Sequence, residues 1–352
     1  MKILLLGSFS DQQTGIYLLD SLKKISSDVA AVDIRKIVMD IGANEKSQET
    51  IINEIKDMKI NPDVVLVLKG LEIMPKTFTI LKSLFPKAIF VNWMFDKFIG
   101  ETPAWKNKNY LEYAKMYDRF FCSLKGVCEK LIQAGLYTEH LPEAAHQDYN
   151  GATYLNYYQQ DKYGADISFI GSLGYTSLHP NRIPILKKVA QEGFDLKVWG
   201  DVVTDWKMIP REIRRIHAQD FAVNERHSKV AQCSIINLGI DQDPTLAQSQ
   251  SARMYRVMCA GGLYLTTYCP ELEDVFKINK KDEPILDDQE LVVYYDIPDL
   301  IDKLDYLLEH EELCKKIGKN GREAILEAHT FDIRVKELME MIKNGKTKRK
   351  RN

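Results

Sequence analysis

Two arginines three residues apart stand out in a segment that is otherwise largely apolar. They are Arg253 and Arg256, within residues 251–262, which end in Gly261 and Gly262. Residues three apart share one face of a helix, and a cation on a packed helix needs an anionic partner. A guanidinium fits a diphosphate or a substrate carboxylate; a pair of structural salt bridges is the alternative. The glycines predict a helix end where a backbone approaches a neighbour closely.

A small-residue loop provides a second candidate for phosphate binding. An apolar run ends at Gly171 and Ser172, and a helix is expected about eight residues further on. Phosphates bind at such loops through backbone N–H groups and the helix dipole, although a plain tight turn fits the same residues. Arg182 is expected to offset phosphate charge. Lys229 is a further candidate, for which a solvated surface lysine is the alternative.

Two residues of the first half are candidates for a general base. Asp96 ends the segment 91–96, which lies at the carboxyl end of the strand predicted at 88–92, where polar groups should face a cleft. A carboxylate there is able to take a proton from a hydroxyl nucleophile, and capping of the next segment is the alternative. His146 precedes the expected domain junction and is a candidate base or donor contact; a structural or surface histidine is the alternative.

Neither a metal site nor a cofactor is predicted. The cysteines form no Cys-x-x-Cys pair, and none has histidines at zinc-binding spacing. His179, His217, His227 and His329 likewise show no metal spacing. Motifs of P-loop enzymes, serine hydrolases, kinases and zinc deaminases are missing from the sequence. Because the cysteines are scattered and unpaired in the sequence, they are expected to be reduced thiols in a reducing compartment.

Composition is that of a globular protein large enough for two domains. The sequence has 352 residues, of which 45% are hydrophobic and 28% charged, with a net charge of −2. This balance disfavours sequence-specific nucleic-acid binding. Without an apolar run of about 20 residues or a signal peptide, a cytoplasmic protein is expected. The basic end, 343–352, is predicted to be a solvated terminus, with weak contact to phosphate or a membrane surface as the alternative.

Short apolar runs alternate with helical patterns along both halves of the chain. This alternation predicts an α/β fold with two facing Rossmann-like parallel sheets and a cleft between them. Ligands bind such sheets at the carboxyl ends of the strands. A tyrosine-rich, polar stretch at 145–165 interrupts the alternation. The predicted segments are a first domain, 1–150; a second domain, 151–330; a helix returning to the first domain, 331–343; and a flexible basic tail, 344–352.

From residue 166 onward, the sequence resembles the CgeB-like branch of the GT-B glycosyltransferase group. The resemblance covers the second half well and the first half only in layout. Its pieces, which are fairly specific in their order and spacing, are 167–172, 180–186, 198–200, 228–231, 236–238, 253–262, 270–276, 293–296 and 328–331.

The resemblance implies a glycosyltransferase whose second domain binds a nucleotide-sugar without metal, because basic groups and a helix N-terminus neutralise the diphosphate. The first domain would bind an acceptor, which is a saccharide, a protein or another hydroxyl compound, and would supply Asp96 or His146 as base. The expected donor-binding residues are Gly171, Ser172, Arg182, Lys229, Arg253, Arg256, Gly261, Gly262 and Glu271.

One departure from the family pattern concerns two glutamates that related transferases often carry with seven residues between them. Gln248 and Arg256 stand at the corresponding positions. Arginine cannot accept the hydrogen bonds of ribose hydroxyls, so a phosphate or an acidic sugar is the alternative ligand. A sugar-nucleotide epimerase and a non-catalytic nucleotide-sugar-binding protein remain alternatives to the transferase.

Overall fold

The computed structural model describes residues 1–10, 14–174, 179–203, 205–241 and 243–349, with side chains up to residue 345. The chain forms two compact units. Unit 1 comprises Met1–Pro142 together with the segment from Phe331 onward, and unit 2 comprises Glu143–Thr330.

Unit 1 is a six-stranded parallel sheet in the order β2-β1-β3-β4-β7-β8, with helices connecting the strands. Strands β1 and β3 are buried at every position, as expected for a parallel sheet covered on both faces. The elements in chain order are β1 (Ile3–Gly7), α1 (Thr14–Ile25), β2 (Val29–Asp33), α2 (Ile34–Ile41), α3 (Glu45–Asp57), β3 (Val64–Leu68), α4 (Pro75–Leu84), β4 (Ile89–Met94), β5 (Phe98–Ile99), β6 (Thr102–Pro103), α5 (Lys108–Ala114), β7 (Arg119–Cys122), α6 (Lys125–Gln133) and β8 (Glu139–His140).

Unit 2 is a five-stranded parallel sheet in the order β10-β9-β11-β12-β13. Its central strands are apolar because their side chains face the two hydrophobic layers of this unit. The elements in chain order are α7 (Gln147–Asn150), α8 (Tyr157–Tyr163), β9 (Ala165–Ile170), α9 (Arg182–Gln191), β10 (Leu196–Trp199), α10 (Arg211–Ile216), α11 (Glu225–Cys233), β11 (Ser234–Gly239), α12 (Ala252–Ala260), β12 (Tyr264–Thr267), β13 (Val292–Tyr294), α13 (Ile297–Leu308) and α14 (Glu311–Ala328).

The division between the units lies at Pro142, before the boundary expected at residue 150. The reason is local pairing: Ala145 forms a parallel bridge with Thr330, and its N–H donates to the carbonyl of His329 at 3.0 Å. His146 is therefore part of unit 2 and not of the first domain, which corrects the sequence-based assignment.

The last helix, α15 (Phe331–Arg349), belongs to unit 1. The ring centroid of Phe331, at the start of α15, lies 5.9 Å from that of Tyr17 on α1. Ser21 Oγ, also on α1, donates to Asp332 Oδ1 at 2.6 Å. The helix continues to Arg349, beyond the predicted end at 343, so residues 344–349 are helical and not an irregular tail. Residues 350–352 of the predicted tail lie outside the described residues.

Two further expectations concern the state of the cysteines and the presence of membrane-spanning helices. All six cysteines are free thiols, and all except Cys233 are buried. Burial raises the pKa of the Cys269 thiol to about 12, so this group stays protonated at physiological pH. Within the described residues, no helix has both the length and the apolarity that a membrane crossing requires.

Candidate functional site

The carboxyl ends of β9, β11 and β12 carry the main cluster of charged side chains in unit 2. Arg253, in the first turn of α12, lies against the backbone of Gly171 at the end of β9. A Cβ atom added to Gly171 would lie 2.5 Å from Arg253 Nη2. The guanidinium carbon is 4.6 Å from the ring centroid of Phe169, within cation–π distance. The missing side chain of Gly171 thus creates the space that the guanidinium occupies.

Arg182, the first residue of α9, lies beside Arg253. Its side chain is 7% exposed, and Nη1 donates to the carbonyl of Ser172 at 2.9 Å. Its guanidinium carbon is 5.7 Å from the same Phe169 ring. Burial, and then the nearby Arg253, lower the pKa of Arg182 to about 9, which Asp241 partly opposes. The two arginines are therefore close like charges, and each positive charge is less stable unless an anion lies nearby.

Asp241 is the buried carboxylate of this cluster. It follows β11 and is 5% exposed. Its oxygens accept from Thr266 Oγ1 at 3.1 Å and from the N–H of Ser251 at 3.3 Å. Burial raises the pKa of Asp241, and Arg253 acts in the opposite direction. Asp241 thus gives partial charge compensation, while its hydrogen bonds go to Thr266 and Ser251.

Hydrogen-bonding capacity is left over on both arginines. The Nη1 atom of Arg253 and the Nε atom of Arg182 are buried and have no hydrogen-bond partner within the described residues. Buried donors of this kind are normally satisfied. The sequence left salt bridges open as the alternative for Arg253, and these two nitrogen atoms take part in none among the described residues.

Two histidines beside the arginines are held neutral. His227, on α11, is 5% exposed, and its pKa falls to about 3 because of burial and then the charges of Arg256 and Arg253. Burial and then Arg182 and Arg253 likewise lower the pKa of His179 to about 3. Both rings are therefore neutral near pH 7, so the arginines supply the positive charge.

In the described start of the loop after β9, Gly171 and Ser172 already hydrogen-bond within the protein. The N–H of Gly171 donates to the carbonyl of Trp199 at 2.8 Å, and the carbonyl of Ser172 accepts from Arg182. Gly171 therefore belongs to the cluster because it lets a guanidinium come close, and not because its own N–H is available to a phosphate.

Gly261 and Gly262 lie at the opposite end of α12 from Arg253. A helix of this length spans about 13 Å, so the structure does not bring them to the cluster. Gly261 is the left-handed C-cap, with φ 89°. A Cβ atom on Gly262 would lie 2.5 Å from the carbonyl oxygen of Ala231 on α11. The expected donor contact is therefore replaced by a packing role for both glycines.

The remaining donor candidates have local partners. Nζ of Lys229 lies 2.8 Å from Oε1 of Glu225, which is one turn earlier on α11. Gln248 has a left-handed backbone, with φ 41°, and its Nε2 donates to the carbonyl of Glu271 at 3.1 Å. Gln248 and Glu271 thus join two loops of unit 2. Arg256 lies one turn after Arg253 on α12, close to His227.

The two base candidates have very different surroundings. Asp96 follows β4 in unit 1, is 37% exposed, and its Oδ2 lies 2.7 Å from Lys69 Nζ. His146 in unit 2 is 2% exposed, and its Nδ1 accepts from the N–H of Asp148 at 3.3 Å as the cap of α7. Burial and capping give His146 a structural role, whereas Asp96 has an accessible carboxylate.

Residues that the sequence did not single out complete the cluster. Asp241 follows an apolar strand in the same way that Asp96 does, so the same signal was available for it. Thr266 lies within the short strand β12 and carries no motif. His179 and His227 were considered only as metal ligands.

Comparison with known proteins identifies one matching family. Residues 182–340 match a protein family described as glycosyl transferase-like. The match begins at Arg182 and includes Arg253, although it covers less than half of the chain. The curated proteins include no match to this sequence.

Solved structures with the same fold match nearly the whole chain at low sequence identity. Sucrose-phosphate synthase from Thermosynechococcus elongatus has a TM-score of 0.65 and 10% identity, covering 98% of this chain and 99% of that one. An alpha-glucosyltransferase in complex with UDP has a TM-score of 0.64 and 12% identity, with 97% and 100% coverage. A putative UDP-N-acetylglucosamine 2-epimerase from Listeria monocytogenes has a TM-score of 0.55 and 12% identity, with 97% and 96% coverage. The chain therefore has the α/β fold of GT-B glycosyltransferases.

Proposed function

We propose that the chain is a glycosyltransferase that takes its sugar from a nucleoside diphosphate donor bound in unit 2. The observation that carries the proposal is the meeting of Arg182 and Arg253 beside Gly171, with buried donor atoms left unpaired among the described residues. A diphosphate has enough acceptor oxygens to pair with two adjacent guanidinium groups.

The arginines would act on the leaving group of the transfer. When the bond between the sugar and the diphosphate breaks, negative charge develops on the departing phosphate oxygen. Preorganised cations in a partly buried site stabilise that charge and spend little reorganisation energy. Arg182 and Arg253 supply two such cations, and Asp241 offsets only part of their charge. A divalent metal is not required by this scheme.

Asp96 is our proposed base for the acceptor hydroxyl. A sugar or other alcohol is a poor nucleophile near neutral pH, and removal of its proton contributes about 10²–10⁴ to the rate. The carboxylate of Asp96 is accessible, in contrast to the ring of His146. The acceptor itself is proposed only as a saccharide, protein or other hydroxyl compound.

The family match is the observation that favours a transferase over an epimerase. The family match is to a glycosyl transferase-like domain, and solved structures of the same fold include an alpha-glucosyltransferase with UDP-glucose. An epimerase shares the fold. The two activities differ in their products, since an epimerase changes the sugar of the donor without needing an acceptor.

A panel of sugar nucleotides tests the proposal. The purified chain is incubated with UDP-, ADP-, GDP- and TDP-linked sugars, with and without a mixture of saccharide acceptors, and products are identified by mass spectrometry. We expect release of one nucleoside diphosphate and a glycosylated acceptor, both much reduced in Arg253→Ala and retained in the control Arg215→Ala, whose side chain is exposed on α10. An epimerised donor without an acceptor would identify an epimerase, and a folded chain inert toward the whole panel would refute catalysis.

A further inference from the structure

The carboxyl end of β3 contains a lysine in an unusual backbone conformation. Lys69 has φ 59° and is followed by Gly70 with φ 78°. The left-handed region is sterically unfavourable for a residue with a side chain. Such strain persists only where surrounding contacts impose it, and it is concentrated at functional positions.

Contacts from the neighbouring strand β4 and from helix α5 hold this turn. Nδ2 of the buried Asn92 donates to the carbonyl of Lys69 at 3.0 Å, and the N–H of Lys69 donates to the carbonyl of Trp93 at 3.0 Å. The hydroxyl of Tyr113 lies 3.4 Å from the carbonyl oxygen of Gly70. Lys69 is thus fixed in register with β4, which is the strand that leads directly to Asp96.

The ammonium group of Lys69 reaches Asp96 from this fixed turn. Its Nζ lies 2.7 Å from Oδ2, while the two side chains are 30% and 37% exposed. Oδ1 of Asp96 makes no hydrogen bond or ion pair within the part of the chain that the structure describes. A partly exposed ion pair contributes little to stability. Stability alone therefore does not account for a strained turn that presents this lysine.

We propose that Lys69 is a positioning residue for Asp96. It holds Oδ2 so that Oδ1 stays directed toward the hydroxyl of an acceptor. The inference rests on the proposed function, in which the acceptor oxygen bonds to the sugar while the sugar–phosphate bond breaks and its electron pair leaves with the diphosphate. The proton of the acceptor hydroxyl goes to Oδ1 of Asp96. A base held by a third group in this manner has a higher share of productive orientations.

A double-mutant cycle tests the coupling between the two residues. The variants are Lys69→Met, Lys69→Arg, Asp96→Asn and Lys69→Met/Asp96→Asn. The control is Lys82→Met, which removes a lysine of similar exposure whose Nζ lies 3.5 Å from Asp118. For each variant, kcat and KM for the preferred donor of the UDP-, ADP-, GDP- and TDP-sugar panel are measured from nucleotide release, with water or saccharide as acceptor.

We expect Lys69→Met to lower kcat about ten- to hundredfold, the scale of a misplaced catalytic group, with donor KM within about twofold. Lys69→Arg should recover most of the loss, and Lys82→Met should remain near wild type. In the Asp96→Asn background, Lys69→Met should have no further effect, because there is no base left to position. Independent losses in the double variant, or normal turnover of Lys69→Met, would overturn the inference and leave the donor site intact.

A crystal structure of Lys69→Met gives a readout that does not depend on activity. We expect the Asp96 carboxylate in a new or multiple orientation, with the fold of unit 1 unchanged. A carboxylate in its original orientation would overturn the positioning role even if no donor is turned over. A wild-type chain that turns over no donor would instead refute the proposed function.

Discussion

At the scale of single residues, Gly171 shows how a missing side chain makes room for the guanidinium of Arg253. A Cβ atom at this position would lie 2.5 Å from Nη2 of Arg253 and 3.1 Å from the ring of Phe169. The first of these atoms is the flexible end of a side chain, so the backbone can remain in place while the guanidinium moves. The glycine therefore controls the position of Arg253 more than it controls folding.

Gly171→Ala should consequently separate binding from stability. We expect nucleoside diphosphate affinity to fall at least tenfold, since a displaced guanidinium loses a charge-assisted contact of roughly 1.5–3 kcal/mol. The melting temperature should stay close to that of the wild type. Titration calorimetry and thermal unfolding of the same preparation measure both quantities. Unchanged affinity in the variant would show that Arg253 does not contact the ligand from this position.

His227 gives a prediction about pH. Burial and the charges of Arg256 and Arg253 lower its pKa to about 3, whereas an unfolded histidine titrates near 6.5. The unfolded chain therefore takes up this proton first as the pH falls. Stability contributed by the neutral ring is complete above about pH 6.5 and decreases by about 1.4 kcal/mol per pH unit below it, down to about pH 3.

Long-range ¹H–¹⁵N NMR of the histidine rings measures this state directly. We expect the His227 ring to stay neutral from pH 8 to 5 in the folded chain, and to titrate near 6.5 in the same sample unfolded with urea. A folded midpoint above pH 5 would mean that the ring is not held neutral beside the arginines.

At the scale of elements, helix α12 has a different task at each end. Arg253 lies in its first turn, at the carboxyl ends of the strands, where ligands bind in parallel sheets. Gly261 and Gly262 end the helix and allow close packing against α11 and α14. A Cβ atom on Gly318 of α14 would lie 2.5 Å from the carbonyl oxygen of Gly261. One sequence motif thus contains a proposed binding residue and two packing residues.

Gly262→Ala tests the packing role. The added methyl group would lie 2.5 Å from the carbonyl oxygen of Ala231 and 2.7 Å from the amide of Asn237, both held by unit 2. Overpacking of this kind costs about 1–3 kcal/mol. We expect a lower melting temperature with unchanged nucleotide affinity at temperatures where the variant is folded. Weakened affinity without loss of stability would show instead that Gly262 contributes to nucleotide binding.

Long, strongly patterned elements could be predicted from the sequence, and short ones could not. The buried runs at β1 and β3 and the amphipathic helix α3 follow directly from their residue pattern. The predicted elements did not include α2, which begins without a turn after β2 at the cap Asp33, or the six-residue α10. Strand β8 has two residues and exists only through pairing with β7. Such elements depend on tertiary contacts that no local pattern contains.

The candidate site could be predicted only in part, for a related reason. Arg253 and Gly171 were identified from their motifs, and Arg182 from its place after the loop. Asp241 and Thr266 join the cluster because parallel strands end at the same edge of a sheet. The sequence does not state which strands are neighbours, so it could not indicate which carboxylate meets which arginine. Lys229 is a different case, because its partner Glu225 lies four residues earlier on the same helix and this spacing was visible in the sequence.

At the scale of the whole molecule, the chain returns to unit 1 after completing unit 2. The chain enters unit 2 after Pro142 and leaves it before Phe331. The first and last segments of unit 2 are paired there, because Ala145 and Thr330 form a parallel bridge. The tyrosine-rich stretch suggested a later boundary because its polarity marks a break in the pattern, whereas backbone pairing decides where the unit begins. The resemblance supplied the return of the last helix, which local patterns alone did not require.

The account depends most on diphosphate binding by Arg182 and Arg253, and calorimetric titration with UDP, ADP, GDP and TDP tests this directly. We expect one of them to bind the wild-type chain equally well with and without EDTA. Arg182→Ala and Arg253→Ala should each weaken binding about ten- to a hundredfold, whereas Arg215→Ala should match the wild type. Wild-type affinity in both cluster variants, or binding abolished by EDTA, would contradict the account.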